Sequence, residues 1–314
     1  MNFSLKPAAV VLGAMIAILP RAEAGEGGSS HYFPGSYGDF LVAKWPTNKS
    51  VIVRNDLFLF DGDADAIGMN SVATAEADQE IWLNLLKVGY YSDAEIFGAR
   101  YGAALVLPYT FGMEVDALVS TPLGDMDMSS DIDGWCDPYL VPVRLNWSQD
   151  RHNTTFDLGV FAPWGDYDAE RSVNLGRNYW SVNPTVSYTY LDQDLGWEFS
   201  TTVGMTWNME NPETNYTSGA EFQLDWLAGR HISPTTAIAL NGYWFEQITD
   251  DEGDPGAVPA NGFRGRSVGI GPAIMKSFTV GDTPVSVIGK WLYDVEAKNR
   301  IKGNTVMISA VAAF

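Results

Sequence analysis

The chain has 314 residues, 46% of them hydrophobic and 18% charged, with a formal net charge of −20. So acidic a surface argues against nucleic acid as a partner. The single cysteine, Cys136, excludes an intrachain disulfide framework, and the many glycines and aromatic residues suit a β protein rich in turns.

The first residues read as an export signal. Lys6 supplies a basic start, Ala8 to Leu19 is apolar, and Ala22-Glu23-Ala24 fits a cleavage site, so residues 1–24 are assigned to a signal peptide. The apolar stretch is too short to span a bilayer as a helix. With no cysteine beside the cleavage site, a lipid anchor there is not expected. Removing Lys6, Arg21 and Glu23 leaves a net charge of −21. No later apolar run reaches the length of a transmembrane helix, which leaves a soluble exported protein or a transmembrane barrel.

Residues 25–48 form a separate N-terminal segment ahead of a barrel at 49–314. Its stretch "GSSHYFPGSYGDFLVAKWP" has six aromatic residues if His31 is counted, and no clear alternation in its first half. A disordered tail would lack such aromatics, so the segment is expected to be ordered. It either enters the barrel mouth as a plug through His31, Tyr32, Phe33, Tyr37 and Phe40, or packs on the periplasmic rim.

Beyond it, apolar and polar residues alternate with a period of two. "WEFSTTVGMTW" puts Trp197, Phe199, Val203, Met205 and Trp207 on one face, and "WSVNPTVSYTY" does the same with Trp180, Val182, Val186, Tyr188 and Tyr190. "EFQLDWLA" sets Phe222, Leu224, Trp226 and Ala228 opposite Glu221, Gln223 and Asp225, and "YLVPVRLNW" sets Tyr139, Val141, Val143, Leu145 and Trp147 opposite Pro142, Arg144 and Asn146. A soluble sandwich would alternate too. Aromatic residues at both ends of one face, and small polar residues on the other, favour a membrane barrel with interfacial girdles and a wet lumen.

The pattern predicts an all-β, antiparallel up-and-down barrel of about twelve strands, near 50–60, 80–91, 95–116, 137–148, 154–164, 179–191, 196–208, 218–230, 235–248, 264–278, 284–297 and 304–314. Short connections ("SDA", "QDRHN", "DQDL", "HISP", "TVGDT") alternate with long ones near 61–79, 117–136, 165–178, 209–217 and 249–263, the rhythm of periplasmic turns and external loops. The third strand is over-long and contains Pro108, so part of it is expected to project or bend. The last strand, "NTVMISAVAAF", keeps its alternation to Phe314, where it is expected to close the ring on the first strand.

Strand parity points Arg54, Arg100, Arg144 and Lys290 inward on one wall, and Asp157, Glu198, Glu221 and Asp225 inward on the facing wall. Two readings stand: a transverse field at a constriction, or salt bridges that stiffen a narrow lumen, with Arg144 and Asp157 placed to pair. Trp135, Trp164, Tyr167, Tyr179 and Trp180 near the external ends are candidates for solute capture.

Other chemistry finds little support. Asp61, Asp63 and Asp65 have the spacing of a calcium loop, but Ala66 and Val72 stand where Gly and Glu are required, so a solvated loop is the expectation. His152 and His231 fall in short turns and His31 in the N-terminal segment, so no histidine is expected on the external side to activate a nucleophile. No clustered histidines suit a metal, "GRSVGIGP" lies in a strand where a phosphate loop would precede a helix, and neither a cofactor nor an enzyme activity is expected.

Several stretches resemble one family, the outer-membrane proteins grouped under the MetA pathway of phenol degradation and regarded as transporters. They are "HYFPGSYGDF", "FGARYG…LVLPY" at 97–109, "GVFAPWGDYD" at 159–168, "NLGRNYWSVNPTVSYTYLD" at 174–192, "NPETNYTSGAEFQLDW" at 211–226 and "GRSVGIGP" at 265–272. The resemblance implies an outer-membrane barrel in a Gram-negative-type envelope that passes small hydrophobic or aromatic compounds. Combined with the residues, it gives passive uptake with gating by the N-terminal segment; the alternative is a structural barrel with a sealed lumen. Outer-membrane lipid is the expected surrounding. The barrel-assembly machinery, reading the strand that ends in Phe314, is the expected protein partner.

Overall fold

The computed structural model describes residues 30–47, 50–69, 73–121, 124–127, 129–171, 173–253 and 264–314; the export signal lies outside them. Every regular element among the described residues is a strand. In chain order these are β1 (Val51–Met69), β2 (Ala73–Ile96), β3 (Ala99–Thr121), β4 (Gly124–Asp127), β5 (Ser130–Trp135), β6 (Tyr139–Gln149) and β7 (His152–Phe161). Then follow β8 (Ser181–Asp192), β9 (Trp197–Asn208), β10 (Glu221–Ser233), β11 (Thr236–Gln247), β12 (Arg266–Val280), β13 (Thr283–Lys298) and β14 (Lys302–Ala313).

Twelve of them close an antiparallel barrel in the order β1-β2-β3-β6 through β14, and β14 returns to β1. The seam runs from Ile52 opposite Ala313 to Asp63 opposite Lys302. Phe314 is pinned there: its amide donates to the Val51 carbonyl at 2.8 Å and its carbonyl accepts from Ser50 and Val51. In hydrocarbon no strand edge can stay unpaired, so closure at this seam is what lets the sheet span a membrane.

Tight turns mark one end of the barrel. Phe97 and Gly98 both have positive φ, the geometry of a two-residue hairpin whose twist matches its strands. That places the β2–β3 turn at 97–98, not at "SDA" 92–94, because the two strands stay paired as far as Ile96 and Ala99. At the other end, 61–79 is no long loop. β1 continues to Met69 and β2 begins at Ala73, so the hairpin projects as paired sheet. Asp61 and Asp63 therefore sit in a strand between β14 and β2, and the calcium-loop spacing has no loop beneath it. β3 does project: above Tyr109 it leaves β6 and pairs with β5 and then β4.

One parity assignment fails for a local reason. Register shifts at Leu140/Val143 and Gly102/Ala104 put a bulge around Pro142, which has no amide hydrogen to give to a ladder. Below the bulge Leu145 and Trp147 keep the other parity from Arg144 and Asn146, whereas Tyr139 and Val141 turn inward. Tyr139 is thus not part of the lipid-facing girdle. Its ring lies on Gly159, where an added Cβ would overlap the phenol oxygen.

Candidate functional site

The small polar face of β8, β9 and β10 is buried and occupied. Ser187 meets Thr202 at 2.8 Å, Thr189 meets Ser200 at 2.9 Å, and Asn183 donates to Thr206 and Gln223. What covers these residues is the N-terminal segment, residues 30–47, which threads the barrel lengthwise. Ser30 Oγ donates to Glu221 (2.7 Å) near the long-loop end, and the Pro46 carbonyl accepts from Arg100 (2.7 Å) near the tight-turn end.

Between these points the segment is tied to the wall by groups that its backbone needs. Asp225 accepts from the Tyr32 hydroxyl (2.5 Å) and the Tyr37 amide (2.7 Å). Glu198 accepts from the Leu41 amide (2.5 Å), and its other oxygen meets His231 at 2.7 Å. The Ala43 amide donates to Thr189, and its carbonyl accepts from Asn146. Lys290 Nζ donates to the Gly35 and Gly38 carbonyls at 3.0 and 2.5 Å. A segment without helix or strand must satisfy its amides and carbonyls from side chains, and here the inward charges do so. Burial and the neighbouring Asp225 carboxylate push the Tyr32 phenol well above its ordinary range, which keeps it a donor.

The segment also adds rings to three apolar clusters. Phe40 packs with Leu227, Met275 and Ile288; Tyr32 with Tyr243, Phe245 and Leu292; and Phe33 against Phe58, Leu83 and Met307. Each such ring contributes about 2 kcal/mol relative to exposure in water.

The basic wall is neutralised locally. Arg54 pairs with Asp39 of the segment and with Asp56 (2.6 Å), and Lys87 reaches the other Asp56 oxygen at 2.9 Å. Arg144 makes a bidentate pair with Asp157 at 2.9 and 3.0 Å and donates to Tyr91. Arg100 and Arg144 both lie over the Trp45 ring. The eight inward charges therefore bind the segment or each other. Sequence reading missed Asp39, Asp56's second partner Lys87, and the role of the carboxylates as backbone acceptors. Lys87 was findable, since it shares parity with Leu83 and Leu85.

At the long-loop end, His31 sits between Asp137 and Ser181, 2.9 Å from each, and stacks on Phe161. The sequence expectation that no histidine reaches this end is corrected: the segment carries His31 up through the lumen. Burial holds His31 below its ordinary value. For Asp137 burial acts upward, but the His31 hydrogen bond and the Gly165 and Arg177 amides outweigh it and hold the carboxyl down. Ser181 is wholly buried and also donates to Asn208, so this trio fastens the segment.

The candidate capture residues divide. Trp135 (56% exposed) and Trp164 (63%) lie on the outer surface, and Trp164 meets Trp180 edge-on. Tyr179 is only 2% exposed, against Ser218, and so is not presented at a mouth. Tyr167 accepts a hydrogen bond from Asn211.

The opposite wall, β1, β2, β3 and β6, carries Arg54, Lys87, Arg100 and Arg144 toward the tight-turn end but is apolar inside toward the long-loop end. Phe58, Leu83, Leu85, Val106 and Val141 face the segment, and here it leaves space. A cavity of about 140 Å³ lies between Phe33, Leu83, Val106, Tyr139 and Phe161. A second, of about 330 Å³, lies toward the tight turns among Phe40, Trp45, Arg54, Tyr91 and Val141. They share Ser36, Tyr37, Val106 and Tyr139, so the narrowing between them is set by the Tyr37 and Tyr139 rings, 6.4 Å apart.

A closed ring of twelve antiparallel strands, oily outside and lined within by hydrogen-bonded polar groups, is an outer-membrane β-barrel, and the outer membrane is its location. Residues 61–310 match the family described as "Putative MetA-pathway of phenol degradation", and the chain belongs to it. The COG4313 outer membrane channel from Pseudomonas putida F1 superposes with a TM-score of 0.69 at 16% identity, over 90% of this chain and 100% of that one. Two more distant folds are the transport unit of the autotransporter AIDA-I from Escherichia coli (TM-score 0.42, 8% identity, 100% and 99% covered) and a Pseudomonas aeruginosa FadL homologue (0.39, 8%, 92% and 97%). Neither of these two bears on the site. No curated protein sequence matches the chain.

Proposed function

We propose that this protein is a passive channel for small hydrophobic or aromatic molecules, with residues 30–47 as its constriction. One observation carries the reading: the two cavities adjoin beside the segment, and the one nearer the long loops is walled largely by Phe33, Leu83, Leu85, Val106 and Phe161. An apolar solute moving there displaces few hydrogen bonds, whereas the β8–β10 side would require breaking many. The family and the channel described for the similar Pseudomonas fold support the same reading. In this reading Tyr37 and Tyr139 form the gate between the chambers, and the strand ending in Phe314 addresses the chain to the assembly machinery. The test is passage of toluene and benzyl alcohol into proteoliposomes, for the intact protein and for a protein lacking residues 25–47. Faster entry than through protein-free liposomes supports the channel.

A second reading is favoured by the buried Arg54–Asp39–Asp56–Lys87 group, which clamps the segment at mid-lumen. It makes the protein a sealed structural barrel. Silence in planar bilayers, with and without the segment, would select it.

A further inference from the structure

Two arginines at the long-loop end have no carboxylate partner. Arg177 lies in the β7–β8 connection and Arg300 in the β13–β14 turn, and both line a cavity of about 130 Å³ above the segment's Tyr32–Pro34 stretch. Among the described residues neither makes an ion pair. The Arg300 guanidinium lies over the Phe245 ring at 4.4 Å, and its Nη1 is buried without a hydrogen bond. Ser267 Oγ, on the same cavity, is also buried, with the Tyr243 hydroxyl as its polar neighbour. Leaving such donors unmet costs about 1–3 kcal/mol for a neutral group and more for a charged one. Glu221 feels both arginines and Asp294 feels Arg300, but only at a distance beyond an ion pair, and both acids are engaged elsewhere. Asp294 lines the cavity, but one of its oxygens accepts from the Tyr243 hydroxyl and the other from the Gly303 amide. Glu221 accepts from Ser30.

The rest of the lining is apolar. Phe33, Phe60, Ile81 and Met113 form the floor and one side. The cavity adjoins the one between Phe33 and Val106, with which it shares Phe33, Ile81, Met113 and Arg177. Arg177 therefore faces both chambers.

We infer that this is an entry site for amphipathic acids: a carboxylate bound by Arg177, Arg300 and Ser267, with its ring or short chain lying against Phe33, Phe60 and Ile81. Guanidinium is suited to this because its planar donors match a carboxylate edge and hold it by charge-assisted hydrogen bonds. A solute held there lies at the head of the apolar path, so the inference rests on the channel reading and names its substrate class: aromatic or short aliphatic carboxylates in preference to neutral phenols and alcohols.

The test titrates 4-fluorobenzoate and 4-fluorobenzyl alcohol against the full chain in lipid nanodiscs by fluorine NMR. Wild type is expected to bind the acid roughly tenfold or more tightly than the alcohol, the scale of one charged hydrogen-bond set. Arg300→Gln and Arg177→Gln each weaken the acid by a similar factor and leave the alcohol unchanged. Ser267→Ala weakens the acid less, and Arg300→Lys restores part of the loss. Heat-modifiable migration on gels checks that each barrel is folded. Equal affinity of wild type for acid and alcohol overturns the inference, whatever the variants do. So does unchanged acid affinity in a folded Arg300→Gln or Arg177→Gln protein. Passage assays separate this from the channel reading. Liposomes that admit benzyl alcohol without arginine-dependent acid binding keep the channel and lose the site. Arginine-dependent binding without passage of either solute keeps the site and loses the channel.

Discussion

Two walls of one lumen behave differently. The wall of β8, β9 and β10 presents Asn183, Ser187, Thr202, Glu198 and Asp225, and the N-terminal segment is fixed to it by hydrogen bonds along its length. The wall of β1, β2, β3 and β6 presents Phe58, Leu83, Leu85, Val106 and Val141 toward the long-loop end, where the segment touches it through the Phe33 ring; its polar ties to the segment, from Arg54, Lys87, Arg100 and Asn146, lie nearer the tight turns. The difference separates two tasks. Polar residues hold a plug in place, and a path is left beside it where Phe58, Leu83, Leu85 and Val106 face the lumen, because a stretch of wall without donors gives a buried backbone nothing to bind.

Removing residues 25–47 should have the largest consequence. It strips the segment's backbone partners from Asp225, Glu198 and Lys290, leaving Glu198 its His231 contact, and is expected to turn a nearly silent barrel into a conducting one; unchanged single-channel conductance would end the idea that the segment fills the pore. Next in size is Arg54→Ala, which leaves Asp39 and Asp56 buried, with Lys87 on Asp56 and Lys290 farther off. Breaking one side of such a group costs about 3–5 kcal/mol, readable as a lower urea midpoint for unfolding from detergent. A matched pair of substitutions compares the walls directly. Leu85→Glu puts a charge on the open path and is expected to slow toluene entry by about tenfold, a barrier near 1.4 kcal/mol. Thr206→Ser, on the occupied wall and lining neither cavity, should change entry little.

The fastening at His31 should respond to acid. Its folded pKa lies below the ordinary 6.5, and that of Asp137 below the ordinary 3.8. For both groups the stabilisation is complete above the ordinary value and is lost as pH falls, first through His31 below 6.5 and then through Asp137 below 3.8. Loss builds at about 1.4 kcal/mol per pH unit until the folded pKa is reached. Protease cleavage within the segment should therefore rise between pH 7 and 5, and His31→Gln should flatten that rise. The smallest effect belongs to Arg171→Ala. Its pair with Asp166 lies in an external connection, largely in solvent, and is expected to contribute less than about 1 kcal/mol.

Much of the barrel was legible because its code is local. Strand parity depends only on the pleat, so Trp197, Phe199 and Trp207 could be assigned outward without knowing any partner. It failed at Tyr139, where a bulge inserts a residue and reverses the faces. It also failed within 61–79, where charged residues read as loop are paired between β1 and β2. The apolar wall had a trace in the sequence: "LNLLKV" and "AALVLP" do not alternate, as happens when both faces of a strand meet apolar surroundings.

The sequence by itself determined a closed barrel and its seam at Phe314, since a period of two and the exclusion of unpaired backbone from hydrocarbon leave few other outcomes. Only the tertiary structure decided what the inward charges meet. The segment has no periodicity, and its partners lie from about 15 to more than 250 residues away in the chain, so its path was fixed by where donors and acceptors stand once the ring is closed.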